Sequence, residues 1–592
     1  MNEAASALAS KNPSTAKSWA RALEMTASIP KNPGRVFPDV IDELAERLGN
    51  APALLSDAEC LTYRALAERS NQYARWALSE GLVKGDVVCL LMPNRPEYLV
   101  IWLGIIRAHG VVSLLNTNLA GIGLAHCINI AEPTHIIVAP ELLDSFTAAQ
   151  PMLTCAPKIC VAGSGITEQY SSGPLSKTER RPISILDTAL YIYTSGTTGL
   201  PKAAKVSHFR LMQWSHWFAG MMAISPTDVM YNCLPMYHSV GGVVAAGALL
   251  AGGGSVVIRD KFSASRFWDD IVRWDCSLFQ YIGELCRYLL HTKPSPHETN
   301  HRIRMCCGNG LRIDVWTDFQ KRFRIPEILE FYAATEGNVS LFNVDGKPGS
   351  IGRIPSFLAH RFAVTLVKFE VEEEKPIRDK RGFCIPCATN EIGEAIGRIS
   401  TDRANPGGHF EGYTNQQASE KKVLRNVFEP GDAWFRTGDL MRKDEKGYYY
   451  FVDRVGDTFR WKGENVATSE VSQAIAAFPG IREANVYGVA VPGAEGRAGM
   501  AAVAVDGELD LEAFRTHLIF YLPSYARPLF LRIQNELQVT ATFKHTKNDL
   551  MREGYDPAAT PDLIYLDDAE RHAFVRIDND VYKRIKTGLI RF

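Results

Sequence analysis

The segment Tyr191 to His208, YIYTSGTTGLPKAAKVSH, packs hydroxyls and glycines between an apolar strand and a helix. Thr194, Ser195, Thr197 and Thr198 can all donate hydrogen bonds, Gly196 and Gly199 let the backbone come close to a ligand, and Lys202 adds a point charge. That donor density suits a triphosphate. The pattern is not the common phosphate loop, which needs a glycine-lysine pair followed by Ser or Thr; here Leu200 and Pro201 intervene. An ordinary Gly/Ser/Thr linker would not be framed by a strand and closed by Pro-Lys.

The loop resembles that of the AMP-forming adenylate family of acyl-CoA synthetases, peptide-synthetase adenylation domains and luciferases. Three further segments extend the resemblance. Phe331 to Asn338, FYAATEGN, is similar to the adenine-binding motif, which implies nucleotide contacts for Tyr332, Ala333 and Thr335 and a magnesium ligand in Glu336, alongside Thr198. Trp434 to Leu440, WFRTGDL, is similar to the motif whose aspartate, here Asp439, accepts hydrogen bonds from the ribose hydroxyls. Tyr450 to Val471, YFVDRVGDTFRWKGENVATSEV, resembles the segment that sets fatty-acid transport proteins and very-long-chain acyl-CoA synthetases apart from other branches. It implies that Arg454 reaches the ribose or marks a pivot, and that Trp461, Lys462, Gly463 and Glu464 help form a CoA-facing surface. TATFKHTKNDL, Thr540 to Leu550, resembles the segment carrying the lysine that bridges acyl carboxylate and α-phosphate. Lys544 is the choice, with Lys547 open because Ala541 replaces a usual glycine. His238, in LPMYHSVGG, would by family position orient the acyl carboxylate near the tunnel mouth.

The resemblance therefore implies an ATP-, Mg²⁺- and CoA-dependent ligase that activates a long- or very-long-chain fatty acid through an acyl-AMP. Thr194, His238, Glu336 and Lys544 are its expected catalytic set. Two other readings stay open: a CoA ligase for a bulky non-fatty acid, such as a steroid side chain or carnitine-like acid, and a fatty-acid uptake protein with a vestigial ligase site.

The elements that must hold these residues are legible in outline. Apolar runs such as Val87 to Met92, Val111 to Leu115, His135 to Val138 and Ser255 to Ile258 alternate with longer amphipathic pieces, which gives an α/β fold of largely parallel, helix-covered sheets. A β-rich part is expected over about 381–453. A compact α+β unit follows, with a helix at Glu470 to Phe478, a strand at Ala484 to Val491, a helix at Leu511 to Leu522 and a strand near Leu529 to Ile533. The expected division is a large domain over 1–454, a hinge at 455–457 and a small mobile domain over 458–592. Gly456 at the hinge can absorb large backbone rotations.

Length and composition agree. The chain has 592 residues, too many for one core, and its formal net charge of −1 gives no bulk field to recruit nucleic acid. Twelve irregularly placed cysteines form no disulfide framework, and the Cys384/Cys387 pair has no second pair or histidine to complete a zinc site. Val240 to Ile258 is uncharged and nearly long enough for a membrane span, yet Gly252 to Gly254 should break it into helix, turn and strand. Glu3 and the absence of a sustained apolar core argue against a secretory signal, so the expected location is the cytoplasm. Peripheral contact at the inner membrane surface through the basic end Lys583 to Arg591 stays open, as does the oligomeric state.

Overall fold

A computed structural model describes residues 15–592 apart from 164, 166, 195–200, 403–405, 463, 493, 495, 539–546 and 591. The chain forms two compact units. The larger comprises the chain up to Ala363 with Gly397–Leu424 and Ala433–Phe435; the smaller comprises Val364–Ile396, Arg425–Asp432 and Arg436–Phe592.

In the larger unit a six-stranded sheet runs in the order Lys158–Val161, His135–Val138, Val87–Leu91, Val111–Leu114, Thr188–Thr194, Lys202–Ser207. All its pairings are parallel except the last, a hairpin. The central strands read as unbroken apolar runs because helices cover both faces; every residue of Val87–Leu91 is buried. A second sheet is parallel from Pro52–Leu55 through Ser255–Ile258, Val229–Asn232, Leu278–Ile282 and Met305–Asn309 to Glu327–Ala333. Antiparallel strands Cys60–Thr62 and Ser340–Asn343 flank it. The helix His208–Met221 follows the hairpin, and its start is fixed by the Ser207 hydroxyl, which accepts from the Arg210 amide at 3.1 Å.

The Val240 to Ile258 run breaks where the glycines require it. A π-helix over Val240–Gly247 passes into the α-helix Ala248–Gly252, Gly253 turns the chain at φ +84°, and Ser255–Ile258 enters the sheet. Among the described residues no helix is long and apolar enough to cross a membrane. All twelve cysteines are free thiols.

The smaller unit is built on a five-stranded sheet ordered Ile481–Val489, Ala498–Val505, Phe530–Gln534, Leu563–Asp568, Ala573–Arg576. The helices Thr468–Ala476 and Leu511–Tyr521 contribute Val471, Ile475, Phe514 and Leu518 to its core. Its other part carries the antiparallel pairing of Asp439 and Leu440 with Arg454 and Asp453.

Candidate active site

The hydroxyl-rich loop closes the hairpin between Thr188–Thr194 and Lys202–Ser207, whose register sets Thr194 directly opposite Lys202. Ser195, Gly196, Thr197, Thr198 and Gly199 lie outside the described residues. Burial holds the Lys202 ammonium below its ordinary pKa, helped by Lys422 and Lys421, while Glu336 pulls the other way. Two further lysines thus lie within electrostatic reach of Lys202, and a bound anion would relieve their mutual repulsion.

Tyr413 organises this cluster, and the sequence reading missed it. The residue bridges to Ala204 of the hairpin, and the Lys205 amide donates to the Gly412 carbonyl at 3.0 Å. The Tyr413 ring lies 5.6 Å beneath the Lys202 ammonium. Its hydroxyl donates to Glu336 Oε1 at 2.7 Å, and the Thr194 hydroxyl hydrogen-bonds the same phenol. Burial and the adjacent carboxylate raise the phenol's pKa, so it stays protonated. No periodicity or glycine pattern marks this tyrosine; only the fold brings it beside Thr194 and Glu336.

Glu336 itself is 9% exposed, in the turn after the strand Glu327–Ala333. Gly337 must be glycine there, because a Cβ would stand 2.1 Å from Phe435 Cε1. Asn338 anchors the turn by donating to the carbonyls of Arg398 at 2.7 Å and Gly408 at 3.0 Å. Tyr332 and Thr335 are half-buried and Ala333 is exposed. The Thr335 hydroxyl lies 3.3 Å from that of Ser239, so the segment bearing His238 meets the adenine-type motif. The His238 ring packs 4.7 Å from that of Tyr237.

Arg210, a second residue the sequence reading passed over, ties these loops together. From the first turn of His208–Met221 it donates to the Thr335 carbonyl at 2.8 Å and the His409 carbonyl at 3.2 Å, with Glu411 at 3.4 Å. The available signal was an arginine set between Phe209 and Leu211, and the fold buries it to 6% exposure.

In the smaller unit Asp439 and Arg454 face each other in register, 3.7 Å apart. The Asp439 amide donates to Thr437 Oγ1 at 3.0 Å, and that hydroxyl donates to the Ala395 carbonyl at 2.7 Å. Gly456 sits at φ +91°. Lys547, from the start of Asn548–Glu553, donates to Thr468 Oγ1 at 3.0 Å and pairs with Asp457 at 3.4 Å. Lys544 lies outside the described residues. Trp461 is 4% exposed and packs in the unit's core, while Lys462 turns the chain at φ +53° with its ammonium 5.8 Å over the Trp461 ring. Gly463 lies outside the described residues.

Among the described residues no cluster of three or more His, Cys, Asp or Glu side chains suits a metal ion. Magnesium bound with a nucleotide asks for less, one or two carboxylates plus phosphate oxygens, and Glu336 fits that role.

Comparison with known proteins accords with this geometry. Residues 41–373 match the AMP-binding enzyme family and 470–544 its C-terminal domain. Long-chain fatty acid transport protein 1 of Mus musculus is 40% identical over 573 residues, spanning 94% of this chain and 88% of that protein. Among solved structures, ATP-bound MatB from Rhodopseudomonas palustris superposes with a TM-score of 0.73 at 24% identity, covering 88% of this chain and 99% of that one. The anthranilate CoA ligase AuaEII in complex with anthranoyl-AMP gives 0.73 at 21%, covering 88% and 97%. These structural likenesses establish the fold. The chain belongs to the AMP-binding enzyme family, on the branch of the long-chain fatty acid transport proteins.

Proposed function

We propose that the protein is an AMP-forming ligase that joins a long- or very-long-chain fatty acid to CoA. The observation that carries this reading is the Thr194–Tyr413–Glu336 contact with Lys202 alongside, a carboxylate and a cation group held ready where a polyphosphate would lie. A fatty-acid substrate is supported by the name of the relatives, the long-chain fatty acid transport proteins.

A carboxylate is a poor acyl donor until one of its oxygens becomes part of a good leaving group. In the first step its oxygen attacks the α-phosphorus of ATP and pyrophosphate departs, leaving a mixed acyl-phosphate anhydride. In the second the CoA thiol loses its proton to solvent, its sulfur attacks the acyl carbon, and AMP departs. Both transition states spread negative charge over phosphate oxygens, so fixed cations and hydroxyl donors lower the barrier. Lys202 and Thr194 would hold the outgoing phosphates, Asp439 the ribose hydroxyls and Lys544 the oxygen shared by carboxylate and α-phosphate. His238 would orient the carboxylate and need not act as a base, since the acid is already ionised near neutrality. Glu336 would hold Mg²⁺, which supplies charge neutralisation at the phosphates when bound. Rotation about 455–457 would exchange the adenylation and thioester arrangements, the segment after Trp461 then serving CoA.

The test is exchange of pyrophosphate into ATP by purified protein. Exchange that needs a fatty acid and collapses in Lys544→Ala supports the ligase. No exchange from a correctly folded protein that binds fatty acid favours the uptake reading, and acid-independent exchange or an unaffected Lys544→Ala overturns the ligase. Exchange driven best by bulky ring acids favours the other alternative.

A further inference from the structure

The helix Thr468–Ala476 has Ala467 at its N-cap, a residue with no side-chain acceptor to give. Ser, Thr, Asp or Asn commonly stands there, because the first amides of a helix have no partner inside it. The acceptor comes instead from Asp453, on the other side of the 455–457 turn. Its Oδ2 accepts from the Thr468 amide at 2.5 Å and from Thr468 Oγ1 at 2.9 Å, while Oδ1 accepts from the Arg454 amide at 2.9 Å. Beside it the Ser469 hydroxyl donates to the Val452 carbonyl. The strand Tyr448–Arg454 is thereby pinned to the start of the helix.

Lys547 extends this chain of bonds. Its ammonium donates to Thr468 Oγ1, so that one hydroxyl links the lysine to the Asp453 carboxylate, and it also pairs with Asp457. Asp453 is 4% exposed. Burial raises its pKa, and Lys547 pulls it back toward the ionised form, which makes the stronger cap. One cation therefore serves carboxylates on both sides of Gly456, and it follows closely on Lys544 in the chain. The smaller unit accordingly runs without a break from Arg436 to Phe592, across the turn.

The turn itself is closed by the amides of Asp457 and Thr458 on the Arg454 carbonyl, at 3.1 and 3.2 Å, around Gly456 at φ +91°. Asp453 precedes it and Thr468 follows it, so a large rotation there separates the two. A cap built into the helix would be kept through such a rotation, whereas one supplied from across the pivot is made and lost with it. We infer that Asp453 is a positioning residue for the proposed ligase: it latches the strand before the hinge to the helix after it, and the latch holds in one of the two arrangements that adenylation and thioester formation require. The inference rests on the proposed function in taking 455–457 as the pivot between those steps.

The experiment measures the half-reactions separately on the whole protein. Acid-dependent pyrophosphate exchange reads adenylation, and acyl transfer from supplied acyl-AMP to CoA, with release of AMP, reads thioester formation. Asp453→Ala removes the latch, Thr468→Val removes the hydroxyl and keeps the amide, and Asp453→Asn keeps an acceptor for that amide. The expected result for Asp453→Ala is a fall of about tenfold or more in one half-reaction with the other held within about threefold. The same half-reaction should fall, by less, in the two milder variants, which carry the comparison if Asp453→Ala does not fold. Equal falls in both half-reactions, or no change in either, overturn the inference and leave Asp453 a plain helix cap. Limited trypsin digestion reads the hinge without turnover: cleavage after Arg454 and Arg460, which bracket the turn, should quicken about tenfold in the variants, with the buried Arg532 still protected. If no fatty acid supports exchange by the wild type, the ligase reading fails and the digestion still decides the latch. Unaltered cleavage at the turn overturns it, and so does cleavage that quickens equally at Arg532.

Discussion

The Tyr413 hydroxyl donates to Glu336 Oε1 at 2.7 Å, joining a residue without a sequence signature to the acid of the adenine-type motif. The bond fixes one carboxylate oxygen of the residue proposed to hold Mg²⁺. Tyr413→Phe removes the donor and keeps the ring under Lys202. Exchange should fall about tenfold, and the Mg²⁺ concentration for half-maximal rate should rise, since a hydrogen bond to a charged group contributes roughly 1.5–3 kcal/mol. Titrating the exchange rate against Mg²⁺ checks both; an unchanged metal requirement would make the tyrosine a packing residue.

Arg210 makes a different kind of prediction, because it touches carbonyls of two loops and no proposed substrate. Arg210→Met keeps the apolar stem and loses the contacts to Thr335, His409 and Glu411. The expected outcome is a higher KM for ATP with a smaller change in kcat, and a loss of roughly 2–3 kcal/mol in unfolding free energy. Steady-state kinetics with ATP varied, beside chemical denaturation, separates positioning from general destabilisation.

How far the sequence speaks is visible in these two residues. Runs such as Val87–Leu91 and Ser255–Ile258 declared themselves because strands buried on both faces must be continuously apolar. The break at Gly253 followed from the same local chemistry. The hairpin strand Lys202–Ser207 went unread, since KAAKVS alternates too weakly to announce an edge. The helix Thr15–Thr26 was equally silent. Its Trp19 is fixed by rings of Trp217 at 5.9 Å and Phe342 at 5.8 Å, partners some two and three hundred residues away. Thr194, Lys202 and Glu336 could be named from motifs, whereas Tyr413 and Arg210 act through contacts that exist only after folding.

The two lysines near the C-terminus should separate cleanly. The Lys547 ammonium already serves Thr468 and Asp457 inside the smaller unit, so its removal loosens the approach to the hinge segment. Lys544→Ala should cut exchange by about a hundredfold or more with little change in melting temperature, as expected where one donor meets charge developing at the reacting centre. Lys547→Ala should lower the melting temperature by a few degrees and exchange by less than about tenfold. Parallel melts and exchange assays decide it; the reverse ranking would hand the bridging role to Lys547.

Glu330 gives the pH prediction. Its carboxyl, 1% exposed, accepts from the Gly310 amide at 2.6 Å and the Leu311 amide at 3.2 Å, with the Tyr281 hydroxyl at 2.5 Å. Burial outweighs these bonds and pushes its pKa from 4.5 up to about 8. Between those values the folded protein keeps a proton that the unfolded chain releases. The stabilisation is therefore full below about pH 4.5, declines as pH rises, and is gone above about pH 8. Glu330→Gln keeps an acceptor for both amides and cannot ionise. Denaturant unfolding across pH 5 to 8 should slope downward in the wild type and lose that component in the variant. Identical slopes would mean that the three hydrogen bonds hold the carboxylate ionised throughout.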